Sequence, residues 1–149
     1  MLLEWLVLML EILEIHMNQI HEEVKTYYGE TLQSSNDLQT NACCTISKPP
    51  KHILEALELL SDEVKDKYYG CGLTLPTAVK GLSILDLGSG SGRDCFLASK
   101  LVGEEGKVIG VDMTDEQIEV AKSNIEFHRE AFGYKKSNVQ FIKGNIETL

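Results

Sequence analysis

Two groups of residues in this sequence have types and spacing suited to chemistry. The first is Asp86-Leu87-Gly88-Ser89-Gly90-Ser91-Gly92, followed by a second carboxylate, Asp112, twenty residues beyond the last glycine. Glycines at alternate positions let the backbone turn sharply, so that a ligand can lie on main-chain N–H groups at the mouth of a following helix. An acid at the end of the next strand can accept both hydroxyls of an adenosine ribose. The second group is the four cysteines, Cys43, Cys44, Cys71 and Cys95. None of them shows CxxC zinc spacing, and four are too few for a disulfide scaffold in 149 residues, so they read as reduced thiols of a cytoplasmic protein. The plain alternatives stay open: a tight turn without a ligand for the loop, and a small buried hydrophobe for a lone thiol such as Cys71.

Residue chemistry separates the cofactors that compete for such a loop. A Walker-type phosphate loop needs Gly-Lys-Ser/Thr, whereas Gly92 is followed by Arg93-Asp94. A dinucleotide loop wants a third small residue where this chain has Arg93, which would crowd both a pyrophosphate and the helix packing. Asp86, two residues before the first glycine, would repel a pyrophosphate but could engage the methionine ammonium of S-adenosylmethionine, a cationic sulfonium compound without phosphate.

These residues must be positioned by alternating strands and helices. From Leu82 onward the chain reads as a short buried strand, Ile84 to Leu87, then the glycine loop and a helix from Arg93 to about Leu101. A second strand spans Lys107 to Asp112, and a third Asn138 to Lys143. Thr114-Asp115-Glu116-Gln117 has the form of a capping box, opening one helix that runs to Gly133. Before Gly81 the grammar is helical: a long start to about Tyr28, polar loop at Gln33 to Asp37, and an amphipathic helix from Lys51 to Leu60 after Pro49-Pro50. Cys95, one turn into a helix, reads both as core packing and as a reactive thiol, because helix N-termini lower thiol pKa values. His16, His21, His52 and His128 lack metal spacing and read as surface residues.

Composition narrows the field further. The chain is 43% hydrophobic and 25% charged, as expected of a globular domain, and 14 basic against 23 acidic residues give a net charge of −9. That balance, without a Lys/Arg cluster, disfavours nucleic acid. The apolar start, Met1 to Leu10, lacks a basic flank and a cleavage site, and Glu4, Glu11 and Glu14 argue against stable membrane insertion. Its leucines are a potential surface for self-association.

Together, Asp86-Leu87-Gly88-Ser89-Gly90-Ser91-Gly92-Arg93-Asp94-Cys95 and Gly110-Val111-Asp112-Met113-Thr114 resemble the S-adenosylmethionine site of arsenite methyltransferases. Asp37-Leu38-Gln39-Thr40-Asn41-Ala42-Cys43 and Tyr68-Tyr69-Gly70-Cys71-Gly72 are similar to that family's N-terminal signatures, which are more specific than a glycine loop common to all class I methyltransferases. The resemblance runs from about His21 to Leu149. It implies an α/β, Rossmann-like class I methyltransferase fold, incomplete, with about three parallel strands in the order third, second, first. On this division residues 1–20 are a helical extension, 21–80 a helical cap and 81–149 the first half of the cofactor domain.

By the same resemblance, Asp86, Gly88, Ser89, Gly90, Gly92 and Arg93 belong to the cofactor loop, and Asp112 takes the ribose. Met113 takes one adenine face, Gly144, Asn145, Ile146 and Glu147 border the other, and Tyr69 lines the path to the transferred methyl. Cys71 corresponds to an arsenic-binding thiol, whose two partner thiols lie beyond the position matching Leu149, and Cys43 and Cys95 to cysteines of redox or disulfide steps. The implied partners are trivalent arsenicals and a thiol reductant of glutathione or thioredoxin type. Soft trivalent arsenic prefers thiolates, and its lone pair can attack a sulfonium methyl in line without a general base. The expectation is a chain that is marginally stable and inactive alone. A noncatalytic cofactor-binding module, a methyltransferase of another substrate class, and more distantly a nicotinamide dehydrogenase remain alternatives.

Overall fold

The computed structural model describes residues 2–32, 49–70, 75–76 and 78–148, with side chains from Met9 onward. Three short runs rich in β-branched and large apolar residues form one parallel sheet: β1 (Ser83–Leu87), β2 (Lys107–Asp112) and β3 (Val139–Lys143), in the order β1-β2-β3. The register sets Leu85 beside Ile109 and Ile109 beside Gln140. The strand order agrees with the expectation, and β1 lies at an edge.

Each crossover carries helix. On the N-terminal side lie α1 (Leu2–Thr26), a π-helical turn (Tyr27–Thr31), α2 (Lys51–Glu58) and α3 (Asp62–Asp66); after β1 come α4 (Arg93–Val102), α5 (Asp115–Ser123) and α6 (Ile125–Phe132). Parallel strands joined by crossovers of one hand, each added on the same side, place all connecting helices on one face of the sheet. That face carries Val108, Val139 and Phe141, which share a core with Phe96, Leu97, Ile118 and Ala121 of the helices. Ile53, Ala56, Leu60 and Val64 of the N-terminal helices join the same core. The opposite face leaves Leu85 (58%), Leu87 (50%) and Ile142 (41%) in solvent.

Three local expectations change. The helix after β2 is divided at Asn124, whose side chain turns to Val120 O and to Glu63 across the core. Thr114 forms no side-chain cap at the start of α5. His128, expected at the surface, is buried at 1% exposure and stacks on Phe96 at 3.7 Å. Its Nε2 accepts the Ser61 N–H (3.2 Å), so Nδ1 carries the proton and donates to Asn124 O (2.7 Å). Burial lowers its pKa to about 4, the Asn124 carbonyl opposing the shift. The ring is thus a neutral tie between α6 and the start of α3.

Candidate functional site

The carboxyl ends of the three strands converge on a cleft of about 460 Å³. Such ends are where parallel α/β sheets bind ligands, because the loops there splay apart ahead of the helix N-termini. The loop after β1 is held by its own backbone: Gly88 N and Ser89 N both donate to Val111 O (2.8 and 3.0 Å), and Gly92 N donates to Ser89 O (2.9 Å). Two glycines have different reasons to be there. Gly88, at φ +81°, lines the cleft and has open space where a side chain would point. Gly92, at φ +88°, would drive a Cβ to 2.6 Å from the Phe141 ring.

Asp112 organises the cleft floor. Its Oδ2 accepts from Gly90 N and its Oδ1 from Thr114 N, both at 2.8 Å, while its own carbonyl accepts from Gly144 N beyond β3 (2.9 Å). One residue therefore ties together all three strand-end loops. Each carboxylate oxygen keeps a further acceptor position, so the side chain can hold the loop and still accept a ligand hydroxyl.

At the other end of the loop stands Asp86, whose carboxylate accepts the Cys95 thiol at 3.2 Å. Burial raises the Cys95 pKa well above its ordinary value, and the charge of Asp86 adds to the shift. The expected lowering by a helix N-terminus is overturned, because desolvation of a fully buried sulfur and a neighbouring anion both oppose the thiolate. Burial likewise raises Asp94, with Arg93 opposing and Asp86 adding to the shift.

Of the residues expected to contact cofactor, Tyr69, Asp86, Gly88, Ser89, Gly90, Asp112, Met113, Gly144, Asn145, Ile146 and Glu147 line this one cleft. Gly92 and Arg93 do not. Gly92 is the helix cap behind the loop, and Arg93 lies over the Tyr68 ring (3.8 Å) and pairs with Asp94 (3.0 Å). Cys95 sits behind Asp86, outside the lining. Cys43 and Cys71, like Cys44, lie outside the described residues. Among the described residues, no group of three or more His, Cys, Asp or Glu is placed to hold a metal ion.

The sequence reading missed Gln117, taken there only as part of a capping box. It is 5% exposed, lines the cleft, and donates through Nε2 to Tyr28 O (3.0 Å). Among the described residues, Gln117 Oε1 and Ser89 Oγ are buried side-chain atoms without a partner, and both belong to the cleft wall. Buried polar atoms are rarely left so, which marks this wall as a place where a ligand or an ordered water is expected. The N-terminal arm closes one side: Tyr69 donates to Leu32 O (3.1 Å), and His21 Nε2 lies 3.2 Å from Glu147 Oε2. Asp86, Asp94, Asp112 and Glu147 outnumber Lys67 in the lining, so the cleft suits a cationic ligand over a diphosphate.

A methyltransferase-domain family model matches residues 78–149. The chain is 53% identical over 133 residues to the arsenite methyltransferase of Mus musculus, and 54% identical over 132 residues to that of Homo sapiens. Those matches cover 89% and 88% of this chain, and it spans about a third (35%) of either relative. A crystal structure of an arsenic(III) S-adenosylmethionine methyltransferase from Chlamydomonas reinhardtii superposes with a TM-score of 0.65 at 51% identity, over 67% of this chain and 34% of that one. The glycine loop after β1, the acid ending β2 and the parallel sheet between them define part of a class I methyltransferase fold. Within that class, the chain is similar over most of its length to arsenite methyltransferases, matching about a third of each.

Proposed function

We propose that this chain supplies the cofactor-binding part of a site that methylates trivalent arsenic with S-adenosylmethionine. The observation that carries the reading is one acidic cleft holding Asp86 at the first strand's end and Asp112 at the second's, with Ser89 and Gln117, each carrying an unpartnered polar atom, in the same lining. When bound, the cofactor supplies a methyl group on a positively charged sulfur.

The chain's own residues have separable tasks. Asp86 accepts from the methionine ammonium, and the bare Cα of Gly88 lets that end of the cofactor approach the backbone. Asp112 accepts from the ribose hydroxyls while keeping its hold on Gly90. Met113 and Ile146 flank the adenine, with Gly144, Asn145 and Glu147 at its rim, and Ser89 and Gln117 gain partners. Tyr69, tied to the N-terminal arm, fixes the wall towards the transferred methyl. Cys71 is assigned as one arsenic ligand and Cys43 as a redox thiol on the resemblance, since softness makes thiolates the donors of choice for trivalent arsenic. Cys95 supports Asp86 by a hydrogen bond. The implied setting is cytoplasmic, with a thiol reductant. The described residues supply the cofactor end of the site, so cofactor binding is the property expected of this chain.

Calorimetric titration tests this. S-adenosylmethionine binds the chain and nicotinamide dinucleotide does not, and Asp112→Ala weakens the binding about 10- to 100-fold, as expected for losing charge-assisted hydrogen bonds. Binding of the dinucleotide in preference to the sulfonium compound overturns the reading. In a full-length relative, Cys71→Ser at the matching position abolishes arsenite methylation while cofactor binding persists. Unchanged arsenite turnover there would point to another substrate class.

A further inference from the structure

The proposed site gives no task to the exposed apolar face of α1. Apolar residues crowd its first fifteen positions, but one seven-residue pattern stays apolar along the whole helix: Leu3, Leu10, Met17 and Val24 recur at one position, and Leu6, Leu13 and Ile20 at the position three residues on. All seven places are apolar. Of the seam side chains that are described, Leu10 (59%), Leu13 (55%), Met17 (44%) and Ile20 (39%) are exposed and Val24 is half-buried. The helix meets the body along a different stripe, in which Asn18, His21 and Lys25 line a groove with Met113 and Lys143. At 100° per residue the centre of the seam lies about a quarter turn from that stripe, with Met17 and Val24 bordering His21.

The period identifies the kind of occupant. A straight α-helix drifts about 20° per heptad from a 3.5-residue repeat, so a seam this regular over three heptads fits another helix wound around it better than a fixed globular surface. A membrane surface is disfavoured, since residues 1–20 hold no Lys or Arg and carry Glu4, Glu11 and Glu14. The occupant must bring an uncovered apolar heptad of its own, and this chain presents one. We propose that α1 is a self-association helix whose seam packs against the same seam of a second copy.

Sedimentation velocity on the full chain over about a hundredfold dilution tests this. The wild-type chain associates reversibly. A seam double variant, Leu13→Glu with Met17→Glu, sediments as a monomer with an unchanged unfolding midpoint. An off-seam double variant of equal charge, Ile12→Glu with Ile15→Glu, still associates. A monomeric wild type overturns the proposal, as does equal loss in both variants, which would mean general stickiness. So does association that the seam variant leaves intact, or binding to phosphatidylcholine vesicles without any self-association.

Discussion

At the scale of single residues, a side chain's work depends on burial as much as on type. His128 is the clearest case: its folded pKa is about 4 against an unfolded value of 6.5. The unfolded chain therefore binds the extra proton between those values, so this contribution to stability is complete above 6.5 and is lost as the pH falls towards 4. The loss is on the order of 3 kcal/mol, and urea midpoints measured across that window will follow it. His128→Asn flattens the slope and lowers the midpoint throughout. Cys95 gives a second expectation: mass-mapped alkylation leaves it unmodified in the folded chain and modifies it only in denaturant, because the protonated thiol is buried against Asp86. The glycines and Asp112 were legible in sequence because their task is fixed by local spacing. The state of Cys95 and the place of His128 were not, since desolvation is contributed by residues distant in the chain.

At the scale of elements, the loop between β1 and α4 separates two demands on glycine. Gly92→Ala forces a side chain into the Phe141 ring from a left-handed backbone, and costs about 2–4 kcal/mol in chemical denaturation. Gly88→Ala meets no atom, so it costs only about 1 kcal/mol of backbone strain, yet it adds bulk to a residue of the cleft lining and is expected to weaken cofactor binding by calorimetry. The strand–helix alternation was readable from apolar runs and helix stops. The capping box was misleading, because Asp112 takes the Thr114 N–H and the arm carbonyl at Tyr28 takes Gln117, leaving neither for a reciprocal cap. Similarly, Asn124 divides a continuous helical pattern because Ser61 and Glu63 recruit its amide from across the core.

At the scale of the whole molecule, the exposure of Leu85, Leu87 and Ile142 and the edge position of β1 among the described strands follow from one topology. Strands added in one direction cover one face with their crossovers. Leu85→Lys with Leu87→Lys will reduce dye binding to exposed apolar surface and raise solubility, while the unfolding free energy moves by no more than about 0.5 kcal/mol, as for exposed positions elsewhere. A large loss of stability would instead mean that this face is covered in solution.

Sequence alone determined the ligand class and the order of elements, because a glycine loop, an acid at a strand end and the period of apolar residues are properties of short segments. Tertiary structure decided which residues face the cleft. It moved Gly92, Arg93 and Cys95 behind the loop and brought Gln117 into the wall. The physical reason is that orientation, burial and hydrogen-bond partnership arise between segments far apart in the chain, as when Asp112 joins three loops or Tyr28 engages Gln117 across 89 residues.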